Sequence, residues 1–234
     1  MKRTLAELVG TYVLVFLGTG SVVSMVLFFG GVDSAGLLLI GLAFGFAVLV
    51  MIYAFGHISG THINPVVTLA LLATGRFPVK DAAAYIVAQL VGAVLASLTI
   101  VAIWGVRAID TGMGSTLPGD GVSYGQAIFV EAVTTFFLVL TIWGVAVDGR
   151  APKGFAGLAI GILVAADIIV TGPIAGASMN TARSFGPQVV SSFWGGPGAD
   201  WAKFPIYIIG PLVGAVLAAL VYDYLSGVKK LSVE

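Results

Sequence analysis

An all-α membrane protein of six transmembrane helices and two re-entrant half-helices, arranged as two inverted repeats, is the fold class that three features of the sequence predict. Composition is the first: 59% of the 234 residues are hydrophobic and 9% are charged, with a mean hydropathy of +1.07, well outside the range of soluble globular chains. Apolar runs of membrane-crossing length are the second. The third is a pair of short segments rich in glycine and asparagine, one in each half, that break the apolar pattern.

The runs fall at roughly 4–28, 36–55, 82–104, 124–147, 154–172 and 204–226, each near the about 20 residues that a membrane-crossing helix needs. Met1-Lys2-Arg3 followed by apolar residues as far as Phe29 lacks a clean small-residue cleavage site, so this stretch reads as a retained first span. Lys2, Arg3, Arg76, Lys80, Arg150, Lys153, Lys229 and Lys230 fall on one side of that layout, leaving Arg107, Arg183 and Lys203 elsewhere. The positive-inside rule then puts both termini in the cytoplasm of a multi-pass cell-membrane protein. Balanced charge offers no footprint for nucleic acid. With no cysteine there is no disulfide framework or thiol chemistry, and no spacing suggests a metal or other cofactor.

The second interruption, Gly172 to Gly186, sets Asn180 as the N-cap of a short helix over 180–190 with Arg183 in its first turn. A cation at the positive end of a helix opposes the dipole, so a working role is expected there. The first interruption, Gly56 to Val67, repeats the design: Asn64 opens a helix over 64–73 with Pro65 at the first helical position, where its missing N–H costs nothing. Helices of about ten residues reach about 15 Å, half of a hydrocarbon core of about 30 Å. Two such half-helices meet at mid-membrane, the first entering from the cytoplasmic side and the second from outside. Irregular backbone at that depth is tolerated only in buried protein or along a water-filled cavity.

Leu90-Val-Gly-Ala-Val-Leu-Ala96 recurs letter for letter as Leu212 to Ala218, and Glu7-x-x-x-Thr11 recurs as Glu131-x-x-x-Thr135. Two similar halves of three spans each must be inverted, with the working site at their interface. The chain is therefore expected to be one transmembrane domain over 1–234, with repeats at approximately 1–110 and 120–234. Gly41 and Gly45, Gly92 and Ala96, Gly157 and Gly161, and Gly214 and Ala218 are spaced to let helices cross closely. The loop 105–123 reads as an exposed connector without chemistry of its own.

The paired Asn-led half-helices, Ala6-Glu7 and Glu131 in the opening span of each half, and His57-Ile-Ser-Gly-Thr-His-Ile-Asn64 together resemble the aquaporin and glycerol-facilitator family, from Leu5 to Leu225. Phe155-Ala-Gly-Leu and the loop Asp148-Gly-Arg-Ala-Pro-Lys153 are most similar to archaeal and bacterial aquaporins. Both signature tripeptides depart from the family's Asn-Pro-Ala: the first is Asn64-Pro65-Val66, the second Asn180-Thr181-Ala182. Val66 is expected to narrow or reposition the junction, and Thr181, lacking the rigidity of proline, to leave the second half-helix less firmly fixed.

The resemblance implies a passive channel and not an enzyme, with water as permeant, glycerol or other small neutral solutes as further ones, and a homotetramer in the lipid bilayer. It implies an outer selectivity filter at Phe44, Ile168, Ala177 and Arg183. Ile168 stands where water-selective relatives carry His, and one aromatic stands where glycerol facilitators have two; Ser184 and Tyr207 resemble the water-channel side. Carbonyls of Gly60, Thr61, His62 and Ile63 and of Gly176, Ala177, Ser178 and Met179 are expected to form a ladder of acceptors, supported by Glu7 and Glu131 accepting loop N–H groups. His57 and His62 read first as structural, with a pH gate as the sharper alternative. Asp167, beside Ile168, matches no family position and is expected to reach a hydrated outer vestibule; a bond to a neighbouring helix or across a subunit contact are the alternatives. Two rival classes remain at this point: a secondary transporter, which also uses inverted repeats and broken helices, and a non-conducting junction or scaffold protein of the same fold.

Overall fold

The structure is a computed structural model and describes residues 1–227; Lys229 and Lys230, two of the cations assigned to the cytoplasmic face, lie outside these. The described elements are α1 (Lys2–Phe29), α2 (Ser34–Ser59), α3 (Pro65–Ala73), α4 (Val79–Trp104), the short α5 (Arg107–Asp110), α6 (Tyr124–Ile142), α7 (Ala156–Ala175), α8 (Thr181–Phe193) and α9 (Ile206–Ser226). A π turn over Trp143–Val147 extends α6. With that extension, α1, α2, α4, α6, α7 and α9 are long and apolar enough to cross a membrane. The half-helices α3 and α8, of 9 and 13 residues, reach about 14 and 20 Å.

Local chemistry sets the ends of these helices. Asp33 caps α2 by accepting from Gly36 N at 2.7 Å, and Ser123 and Gln126 form a reciprocal capping box at the start of α6. At their C-termini α2 and α7 stop on left-handed glycines, Gly60 (φ 85°) and Gly176 (φ 81°), which turn the chain into the two re-entrant loops.

Backbone contact between helices relies on the paired small residues. A Cβ on Gly45 would stand 2.4 Å from Gly161 O, and one on Gly161 2.6 Å from Gly45 O, so α2 and α7 touch through their main chains. Gly92 meets Leu8 O in the α1–α4 contact and Gly214 meets Ala132 O in the α6–α9 contact, with Cβ clearances of 2.3 and 2.0 Å. These three crossings hold the six spans around the two half-helices.

The connector 105–123 differs from the exposed loop expected of it. Ala108, Ile109, Met113, Gly114 and Thr116 are buried, and Gly119 N donates to Ile174 O at 2.9 Å. Its apolar side chains pack with Val23, Ile100 and Val190, so the segment folds back over the end of the bundle where α4 finishes and α6 begins.

Candidate permeation pathway

Each re-entrant loop takes the same strained course. Thr61 (φ 48°) and Ile63 (φ 42°) in the first, and Ala177 (φ 44°) and Met179 (φ 53°) in the second, adopt left-handed backbone. For β-branched Thr61 and Ile63 that conformation is unfavourable and persists only where surroundings impose it. Buried carboxylates impose it. Glu7 accepts from His62 N at 2.9 Å and Ile63 N at 2.6 Å, and also from Ser59 Oγ and Gln89 Nε2 at 2.7 and 2.8 Å. Glu131 accepts from Ser178 N at 2.7 Å and Met179 N at 2.9 Å.

Past each loop, an asparagine caps a half-helix and reaches across to the other repeat. Asn64 Oδ1 accepts from Val66 N at 2.9 Å, and Asn180 Oδ1 accepts from Ala182 N and Arg183 N at 3.0 and 3.2 Å. Asn64 Nδ2 donates to Met179 O at 2.7 Å, while Asn180 Nδ2 donates to Ile63 O at 2.8 Å. The N-termini of α3 and α8 therefore face one another, joined by a reciprocal pair of bonds. A primary amide carries two N–H donors and one acceptor, so each asparagine keeps one N–H uncommitted.

A cavity of about 600 Å³ runs past both asparagines. Phe44, Ile168, Ala177 and Arg183 line it together, with the Arg183 guanidinium 4.7 Å from the Phe44 ring centre. Room for that ring comes from Gly18, where a Cβ would stand 2.1 Å from Phe44 Cε1. Arg183 is 5% exposed and donates through Nη1 to Gly114 O at 2.7 Å. The buried connector thus aims this cation, a role that nothing in the connector's own sequence signals. Thr116 Oγ1, Ser184 Oγ and Ser178 Oγ form a hydroxyl chain with both separations 2.6 Å, tying the same connector to the second loop.

Gly60, Thr61, His62 and Ile63 line the cavity, as do Ala177, Ser178 and Met179; Gly176 does not, being packed against Thr116. The Ile63 and Met179 carbonyls accept the asparagine bonds described above. His57 is exposed. His62 Nδ1 pairs with Thr68 Oγ1 at 3.0 Å, and its ring lies edge-on to Phe77 and Tyr85. At the cavity's opposite end from Arg183, Arg76 makes a two-bond pair with Asp223 at 2.9 and 2.8 Å. There too Arg150 Nη2 and Tyr222 Oη bond Asp148 at 2.6 and 2.9 Å. This polar rim was not singled out from the sequence; the mixed signs at 148–150 and at Arg76 and Asp223 are its only trace.

Three further sequence expectations change. Val66 packs with Val67, Ala70, Ala215 and Ala218 and does not line the cavity, because the first turn of α3 points it into the helix contact, so it cannot narrow the passage directly. Thr181 is anchored: its Oγ1 donates to Tyr207 O at 2.8 Å. Asp167 is 6% exposed, lies outside the cavity lining, and its Oδ2 has no partner among the described residues. At 100° per residue its side chain turns away from the face that directs Ile168 to the cavity, so the hydrated vestibule reading does not hold.

Residues 1–222 match the family described as major intrinsic protein. The chain belongs to this family. It is 48% identical over 240 residues to aquaporin AqpM of Methanothermobacter marburgensis, covering 96% of this chain and 97% of that one. It is 41% identical over 223 residues to aquaporin NIP1-1 of Zea mays, covering 95% of this chain and 74% of the relative. Among solved structures, the aquaglyceroporin from Plasmodium falciparum matches with a TM-score of 0.84 and 26% identity, covering 96% of each chain. The family read from the sequence and the all-α fold both stand, and the protein is a multi-pass membrane channel of the aquaporin family, not an enzyme.

Proposed function

We propose that the chain conducts water passively along the cavity between α3 and α8, with glycerol as a slower permeant, and that it excludes protons and ions at two levels. The observation carrying this reading is the reciprocal pair Asn64–Met179 and Asn180–Ile63, at 2.7 and 2.8 Å. It holds two helix N-termini, each worth about half a positive charge, against one point of the pathway. A water there accepts from the uncommitted asparagine N–H groups and cannot pass a proton along the file in both directions. Cations meet the same positive potential.

Phe44, Ile168, Ala177 and Arg183 form the outer filter in this reading, and Arg183 adds a full charge where little solvent screens it. The carbonyls of Gly60, Thr61, His62, Ala177 and Ser178 serve as acceptors on one wall, with Leu14, Val48 and Val164 as the apolar wall. Both termini are assigned to the cytoplasm and the assembly is taken to be a homotetramer. Arg3, Arg76 and Arg150 clustering at one end of the bundle supports the orientation; family resemblance alone supports the tetramer. A coupled transporter would want free carboxylates at the break in its helices. The aspartates lining this cavity, Asp148 and Asp223, are each held by an arginine.

Swelling of proteoliposomes in water, glycerol and urea gradients tests the filter. Ile168→His is expected to lower glycerol permeability relative to water several-fold, because it narrows the wall opposite Arg183 and makes it polar. An unchanged ratio in a correctly assembled variant contradicts the assignment.

A further inference from the structure

At two matched positions the halves exchange a proline. Gln89 and Pro211 each precede the repeated Leu-Val-Gly-Ala-Val-Leu-Ala, and Pro65 and Thr181 each follow a signature asparagine. The first repeat therefore carries proline at the first position of the half-helix α3 and a residue with an N–H in the adjoining span α4, whereas the second carries threonine at the first position of α8, with Pro187 further along it, and proline at the matching position of α9. Within α9, Pro211 has no N–H to give the carbonyl four residues earlier, and its ring pushes that carbonyl aside. The carbonyl is Tyr207 O, on a fully buried residue, where an unpaired acceptor is costly. It is the same oxygen that accepts from Thr181 Oγ1 at 2.8 Å. In the first repeat, Gln89 retains the N–H by which an α-helix closes on the Tyr85 carbonyl, and Pro65 fixes the entry of α3 through its own ring.

We propose that Thr181 is a positioning residue whose hydroxyl supplies the donor that Pro211 deletes, so that this bond, in place of a proline ring, fixes the entry of α8. Thr181 is the first residue of α8, between Asn180, which reaches Ile63 O, and Arg183, two residues further on. Loosening it shifts both groups that face the cavity. The inference rests on the channel reading for its consequence and on the hydrogen-bond geometry alone for the coupling.

The test is a double-mutant cycle. Thr181→Val keeps the shape and removes the donor; it is expected to lower the melting temperature of the detergent-solubilised protein by roughly 3–9 °C and to change the glycerol-to-water permeability ratio at least about two-fold. Thr181→Ser recovers most of both losses, since the hydroxyl is kept. Pro211→Ala restores a backbone N–H for Tyr207 O, so in that background Thr181→Val costs less than about half as much, and a single variant that fails to assemble alone assembles there. Equal losses in the two backgrounds, failure in both, or failure of Thr181→Ser to recover either quantity overturns the proposal. Melting is read without reference to flux. A cycle that couples while the wild-type chain conducts no water therefore refutes the channel reading and leaves the hydrogen-bond inference standing.

Discussion

The two re-entrant loops reach one backbone course by different means. In the first, Glu7 gathers four donors, from Ser59, His62, Ile63 and Gln89, so the loop is held from within the bundle by α1, α2 and α4. In the second, Glu131 gathers two backbone donors, and further support comes from the chain Thr116–Ser184–Ser178 and from Gly114 O beneath Arg183. One loop is braced by spans, the other partly by the connector 105–123. A strained conformation can thus be imposed from either side, and the loop beside the proposed filter depends on a segment that is not itself a membrane span.

This contrast makes unequal demands on the two carboxylates. Glu7→Ala removes the acceptor of four donors, of which the His62 N–H is half-buried and Gln89 Nε2 keeps Thr68 Oγ1, and Glu131→Ala removes that of two buried N–H groups, at about 1–3 kcal/mol for each buried group left unpaired. The first variant is expected to lose roughly 1–3 kcal/mol more stability than the second, read as the larger drop in melting temperature. Equal losses would break the comparison. A smaller effect belongs to the connector: Thr116→Val removes one end of the hydroxyl chain, and about 1–3 kcal/mol of stability should go with it. Hydrogen exchange should then rise in 176–180 and stay unchanged in 60–64. Parallel changes in both loops would mean that the connector braces them alike.

The ion pairs at the rim extend the contrast at the lowest energies. Arg3 and Asp81 meet at 3.2 Å with side chains 51% and 45% exposed, whereas the Asp148 side chain is only 5% exposed against Arg150. Hydrogen bonds from the Arg150 side chain, then from its backbone N–H and from Tyr222, hold the Asp148 carboxyl well below the usual carboxylate range. A depressed folded-state pKa contributes stability that is complete above the unfolded value of about 4 and is lost as pH falls through the folded value. Asp148→Asn should therefore flatten the acid side of the melting-temperature profile. An acid side as steep as that of the wild-type chain would show that the sheltered pair contributes no more than an exposed one.

What could be read before the structure follows from how local each feature is. The six spans are written in apolar length, and the half-helices in Asn64, Pro65 and Asn180, because capping involves only the next few residues. Glu7 and Glu131 stood out as ionisable groups inside apolar runs. Features that depend on rotation about a helix axis were out of reach: hydropathy does not say which face of α7 carries Asp167 or where the side chain of Val66 points. The space that Gly18 leaves for Phe44 and the carbonyl that Thr181 finds on Tyr207 are contacts between separate elements. The connector misled because glycine and aspartate suggest solvent, while Met113 and Ile109 bury its other side.

Osmotic water permeability of proteoliposomes, followed by stopped-flow light scattering as the gradient is varied, tests the central claim most directly. A pathway held open between two asparagine-capped half-helices should raise the rate well above that of protein-free vesicles, in proportion to the gradient, with no saturation and no dependence on an ion gradient. A rate equal to that of empty vesicles, or one that saturates or requires a coupling ion, would contradict it.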